Sequence, residues 1–265
     1  RNSGVVTVSS GSTVSGDSGM VTLSTGNSGA GGQAGQITLA VGTTNQEKDG
    51  NDVTVTAGET EAADKKGGDI LLMSGKSPSA SGTITIASNK NAQASGVIAI
   101  GSGNTNAGES GAMTLSTGES KDKKSGDITI SAGVVSADSG SAAGGGTVTI
   151  SAGKSKDTTG GGIALTSGDT SAGNSGTIAI ASPLRDVGGE ETGAITIKTG
   201  TSVGRTGNLE LSTGSGSSAG ELRLVTGDSQ TTGTAVTIVG GKSATATGGT
   251  LSLSSGNSTA TSSGD

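Results

Sequence analysis

Seventeen times along 265 residues the chain returns to one short pattern, Gly-x-φ-x-φ-x-(Ser/Thr/Ala)-Gly, where φ is aliphatic. "GDITISAG" at 126–133 is a clean copy. The aliphatic pairs run from Val6/Val8 to Leu251/Leu253, so 16 intervals cover 245 residues, about 15 each, with extremes of 13 and 20. A unit of this size cannot form a domain alone and must bury its apolar face against neighbouring units. Alternation of apolar and small polar residues over five positions reads as a half-buried strand rather than a helix. Gly stands two positions before the pair in 15 of 17 units, with Asn51 and Thr234 the exceptions. It stands five positions after the first aliphatic in another 15 of 17, with Asn89 and Pro183 the exceptions. Gly, Asn and Pro are corner formers, so each strand is bracketed by two turns.

Two topologies compete for such a repeat. A propeller blade needs about 40–50 residues and aromatic anchors, and this chain has no Phe, Tyr or Trp. A meander leaves half of each unit unassigned. The pattern therefore predicts an all-β fold: one parallel β-helix, or β-solenoid, of about 17 coils and about 15 residues per coil, with Gly at the corners. It is continuous over 1–265, and the stretches "SGAGGQA" (28–34) and "TSAGNS" (170–175) supply return strands. Strands stacked about 4.8 Å apart give a rod on the order of 80 Å long. Ser or Thr recurs seven positions after the first aliphatic in 13 units, including Ser28, Thr44, Ser77, Ser120, Ser155, Thr170 and Ser229. These are expected to be inward or corner hydroxyls bonded along the stack. The pattern runs to both ends without a capping helix, which predicts either a segment cut from a longer solenoid or rods that stack end to end. Neither an initiating Met nor a signal peptide opens the sequence, so residue 1 is expected to follow processing or excision.

The residue between the two aliphatics is Thr in ten units: Thr7, Thr22, Thr38, Thr54, Thr85, Thr114, Thr129, Thr149, Thr196 and Thr237. Stacked, these form a hydroxyl ladder that is a candidate surface for ice, mineral or polysaccharide. Against that stands the plain fact that Thr is a good solvated strand residue. Leu71, Met73, Lys198, Glu210 and Arg223 interrupt the face. Charges cluster in the variable half of the unit, at Glu47-Lys48-Asp49, Glu59 through Lys66, Glu119 through Lys124, Lys154 through Asp157 and Arg185 through Glu191. They read as solvated loop residues that oppose aggregation, or as ionic contacts between rods.

Other chemistries find little support. Without His or Cys, hydroxyl nucleophiles have no imidazole to activate them and thiolate ligands are absent. Asp52, Asp69 and Asp127 share one register position but do not form a convergent calcium set. "GAGGQAG" (29–35) resembles a phosphate loop in composition only, with no Gly-Lys-Ser/Thr and no following helix pattern. The net charge of −6, with no basic stripe and no aromatic, opposes nucleic-acid binding. No apolar run is long enough to span a bilayer. The sequence thus predicts a non-enzyme without cofactor or metal. Asn257-Ser258-Thr259 is an acceptor sequon for N-glycosylation in a secreted protein.

The tandem units "SGDITISAG" (125–133) and "SGAMTLSTG" (110–118) resemble the Ser/Gly/Thr-rich repeats of algal, diatom-type cell-surface and secreted proteins. They are more loosely similar to the repeat regions of bacterial filamentous adhesins. That resemblance implies an extracellular, elongated, fibrous or adhesive role. The coil size and Thr positions also resemble small β-solenoid antifreeze proteins, although Thr-x-Thr pairs are few here, as at Thr83/Thr85 and Thr147/Thr149. The expectation is a structural segment of an extracellular or cell-surface fibre that polymerises with itself. The alternative is an adhesion surface, and the third course is an enzyme or ion binder.

Overall fold

The computed structural model describes residues 3–45, 47–90, 94–135, 144–183 and 191–256. Its chain contacts divide it into two units, Arg1–Thr129 and Ile130–Asp265, and the same local pattern runs through each.

The β-solenoid expectation is overturned. Among the described residues there is no helix and no strand, and none is buried. The aliphatic pairs that were to face an interior keep 48% of their surface or more. Ile98 keeps 48% of its surface and Ile100 71%. Accessible surface totals 26592 Å², against roughly 10,000 Å² for a folded domain of 24.7 kDa and roughly 36,000 Å² for an extended chain.

The physical reason lies in the composition of one unit, where two aliphatics offer little apolar area against the backbone entropy of ordering about 15 residues. With no aromatic ring to add area, the stacking must come from backbone ladders alone, and a chain with 52 Gly loses the most entropy in making them.

Instead, among the described residues, six of the 16 intervals are closed into loops at one register. The amide of the Gly that opens one pattern donates to the carbonyl of the Gly that closed the previous one. The pairs are Gly68 to Gly58 (2.8 Å), Gly82 to Gly75 (2.9 Å), Gly146 to Gly133 (3.3 Å), Gly161 to Gly153 (2.9 Å), Gly176 to Gly168 (2.9 Å) and Gly249 to Gly241 (2.8 Å). No ladder extends from these single bonds among the described residues. Unequal repeat intervals are absorbed inside the loops, which is why 7 and 13 residue steps both close at the same register.

Steric fit accounts for the small residues that recur at both positions. A Cβ built on Gly146 would sit 3.0 Å from the Ala132 Cβ, and one on Gly35 or Gly126 would sit 3.3 Å from Thr25 or Thr117. Those partners occupy the same register, four residues after the first aliphatic, where the sequence holds a small residue in every unit but one. The exception, Val41, is followed by Asn51 rather than Gly. The Thr25 hydroxyl also donates to the Gly35 carbonyl (3.0 Å), and Thr226 to the Thr234 carbonyl (3.3 Å).

The recurring hydroxyls do not bond along a stack. Nine of them accept a backbone N–H two or three residues ahead, at the tip of their own loop. Thr13 takes Ser15, Thr60 Ala62, Ser77 Ser79, Ser120 Lys123, Ser155 Thr158, Thr170 Ala172, Ser202 Gly204, Ser229 Thr231 and Ser243 Ala246, at 2.9–3.4 Å. A Ser or Thr side chain so placed substitutes for a backbone turn bond and fixes where the chain reverses. The supposed return strands are these reversals. In 28–34 a turn runs from Gly29 to Gly32 with Gly31 at φ 84°, a left-handed conformation that suits glycine. In 170–175 the Thr170 turn takes the same place.

One consequence concerns Ser155, whose Oγ also lies 2.9 Å from the Thr158 Oγ1. Ser155→Ala is expected to cost that turn about 1 kcal/mol. By amide exchange, Thr158 should then exchange about fivefold faster, with the loop at 169–175 unaffected.

Candidate functional site

No described part of the chain forms an enclosed centre, so the candidate site is distributed: the short aliphatic segments between loops, and the polar residues around them. Three segments, 68–75, 146–153 and 161–168, lie between two successive closures, and in all of the segments the two aliphatic side chains stay open to solvent. In most units the first of the pair is the more covered. Ile128 keeps 49% of its surface and Ile130 68%.

Thr7, Thr22, Thr38, Thr54, Thr85, Thr114, Thr129, Thr149, Thr196 and Thr237 are all exposed. None of them takes part in a hydrogen bond among the described residues. The ladder envisaged for them relied on stacked strands, and nothing in the described chain spaces them at 4.8 Å. Asn257 and most of the Arg185–Glu191 cluster lie outside the described residues.

The three register-sharing aspartates are not brought together. Asp69 instead pairs with Lys66 (Oδ1 to Nζ, 2.6 Å) and Asp127 with Lys124 (2.8 Å), both exposed. The geometry repeats because the spacing repeats. Lys, two residues of which the second is the Gly that opens the pattern, then Asp precede Ile70 and Ile128 alike. Arg223 Nε meets Glu221 at 3.4 Å. No group of three or more acidic residues, among the described residues, is placed to hold a metal ion. With 75–80% of both side chains in water, the Lys66–Asp69 pair contributes at most a few tenths of a kcal/mol. Asp69→Asn is therefore expected to leave exchange of the Gly68 amide within twofold of the original, and 0.5 M salt should do no more.

Two features escaped a reading of strands and corners. The pairing of a small residue with the following glycine was visible in the joint exception Val41/Asn51. The turn role of the recurring hydroxyls was visible in their position, just ahead of each loop's sharpest bend.

No helix among the described residues is long and apolar enough to cross a membrane. Comparison with models of protein families, with characterised proteins and with solved structures gives no match to the chain.

Proposed function

We propose that the chain is a structural component of an extracellular or cell-surface fibre and assembles laterally with further copies of itself. The observation that carries this reading is the regular series of aliphatic pairs left open to solvent in every unit. All 34 of these side chains lie among the described residues. At about half exposure each offers some 45 Å² of apolar area, on the order of 1,500 Å² per copy. A stable interface needs about 800 Å² per partner. A second copy presents the same pattern at the same spacing, so every segment that meets one segment is in step to meet the next.

Charge supports the same arrangement. It is concentrated in the loops, and few charged side chains enter the segments, so the aliphatic pairs are flanked mostly by Thr, Ser and Ala. The extracellular placement rests on the resemblance of the tandem units to algal cell-surface repeats. The absence of a His or Cys nucleophile system supports a non-catalytic role.

Electron microscopy and sedimentation of the purified chain across concentration test the proposal. Filaments or bundles of uniform width, with a concentration threshold, are expected. A chain that stays monomeric at high micromolar concentration would remove the reading. A second reading, adhesion to ice, mineral or polysaccharide, draws on the ten exposed threonines. Thr129→Val with Thr149→Val and Thr196→Val should then reduce surface binding without touching assembly.

A further inference from the structure

We infer that the glycine-closed loops are clasps that store chain length and release it under tension, so that a fibre of this chain is extensible. The inference adds a mechanical property to the fibre reading, and the test below is made on single chains, where assembly plays no part.

Three observations converge on the clasp. Its closure falls at one register in loops of different length, six times, between the same two glycines of the pattern. The opening glycine also approaches the small residue before the clasp closely, as at Gly68 against Ala57, Gly161 against Ala152 and Gly176 against Ser167 (3.3–3.4 Å to the built Cβ), an approach shared by the unclasped Gly35 and Gly126. Within five of the six loops a hydroxyl-fixed turn reverses the chain, at Thr60, Ser77, Ser155, Thr170 and Ser243.

The clasp is also built to yield. One solvent-exposed hydrogen bond closes it, and no ladder behind that bond shares the load. Tension along the chain pulls directly on the two glycines. When the bond parts, the loop's residues join the path of the force.

The gain can be counted. The six clasps span 10, 7, 13, 8, 8 and 8 residue steps, and each closed clasp contributes only about one hydrogen-bonded crossing, ~5 Å, to the path. Extended chain runs to ~3.3–3.6 Å per residue. Opening one eight-step clasp therefore adds ~20 Å, and all six add ~150 Å. Because closure is local, a relaxed clasp re-forms without a partner and the extension is reversible.

The test is single-molecule stretching of the full chain beside a variant with proline at Gly68, Gly82, Gly146, Gly161, Gly176 and Gly249. Proline has no N–H to donate, so every clasp is lost while the number of residues is unchanged. The original chain should be shorter than the variant at forces too low to open the clasps, by at most ~150 Å, the full length the clasps store. The two curves should merge as force rises and retrace on relaxation. Curves that coincide from the lowest force upward would overturn the inference, as would abrupt high-force rupture events with hysteresis. Small-angle scattering of the same two monomers gives an independent reading, with a larger radius of gyration expected for the variant and equal radii counting against the clasps.

Discussion

Serine at Ile128, Ile130, Val148, Ile150, Ile163 and Leu165 together is expected to weaken self-association by at least ~100-fold. Each of these side chains keeps 49–68% of its surface in water in the single chain, so each has on the order of 1 kcal/mol of burial still to gain from a partner. Six of them represent several kcal/mol, and each 1.4 kcal/mol is a factor of ten in affinity. The estimate of 100-fold leaves more than half of that gain to be lost to the ordering of the segments on assembly. None of the six fills a core, so the variant's own loops should close as before. Sedimentation equilibrium measures the constant, and a control with six loop residues changed to serine should keep the parent affinity. Equal association of parent and aliphatic variant would show that the copies meet through something other than the aliphatic pairs.

The second large effect concerns two glycines of one clasp. Gly68 donates to Gly58, yet their surroundings differ. A Cβ on Gly68 would lie 3.1 Å from the Gly58 backbone nitrogen and 3.3 Å from the Ala57 Cβ, whereas one on Gly58 would meet nothing within 4 Å. Backbone cannot move aside as the end of a flexible side chain can. Gly68→Val should therefore open the clasp, leaving the residue 68 amide exchanging at the free-chain rate. Gly58→Val should leave that amide protected to within a few-fold, since neither glycine needs a left-handed conformation. Identical behaviour of the two variants would mean that the glycines serve chain flexibility and not close approach.

Much of the local organisation was legible in the residues. Bracketing glycines marked two points per unit as corners of a stack, and the structure instead joins the closing glycine of one unit to the opening glycine of the next at six places. The recurring Ser and Thr stood out by register, but the bonding expected of them along a stack gives way to local turns at the loop tips. Variable interval length announced where insertions would be absorbed, and the loops at 59–67 and 76–81 differ accordingly.

The stacking was not legible, for a reason that concerns range. Alternation such as Ile128-Thr129-Ile130 records what one segment would present if a neighbour lay beside it. Whether a neighbour does so depends on the burial gained per unit against the entropy of ordering the loop between units. With Val and Ile pairs but no ring to set against Gly-rich loops, that balance falls short, and the segments remain unpaired. The threonine set fared likewise. Thr129 and Thr149 are exposed as expected, but a shared face is a property of stacked strands and not of the residues themselves.

Residue-resolved amide hydrogen exchange on the dilute monomer tests the central claim most directly. Clasped loops without a β-ladder predict slowed exchange at the amides of Gly68, Gly82, Gly146, Gly161, Gly176 and Gly249, with residues such as Thr129, Ile130, Ala164 and Leu165 exchanging at close to free-chain rates. Continuous protection through the aliphatic segments of successive units, with no distinction at the six glycines, would contradict it.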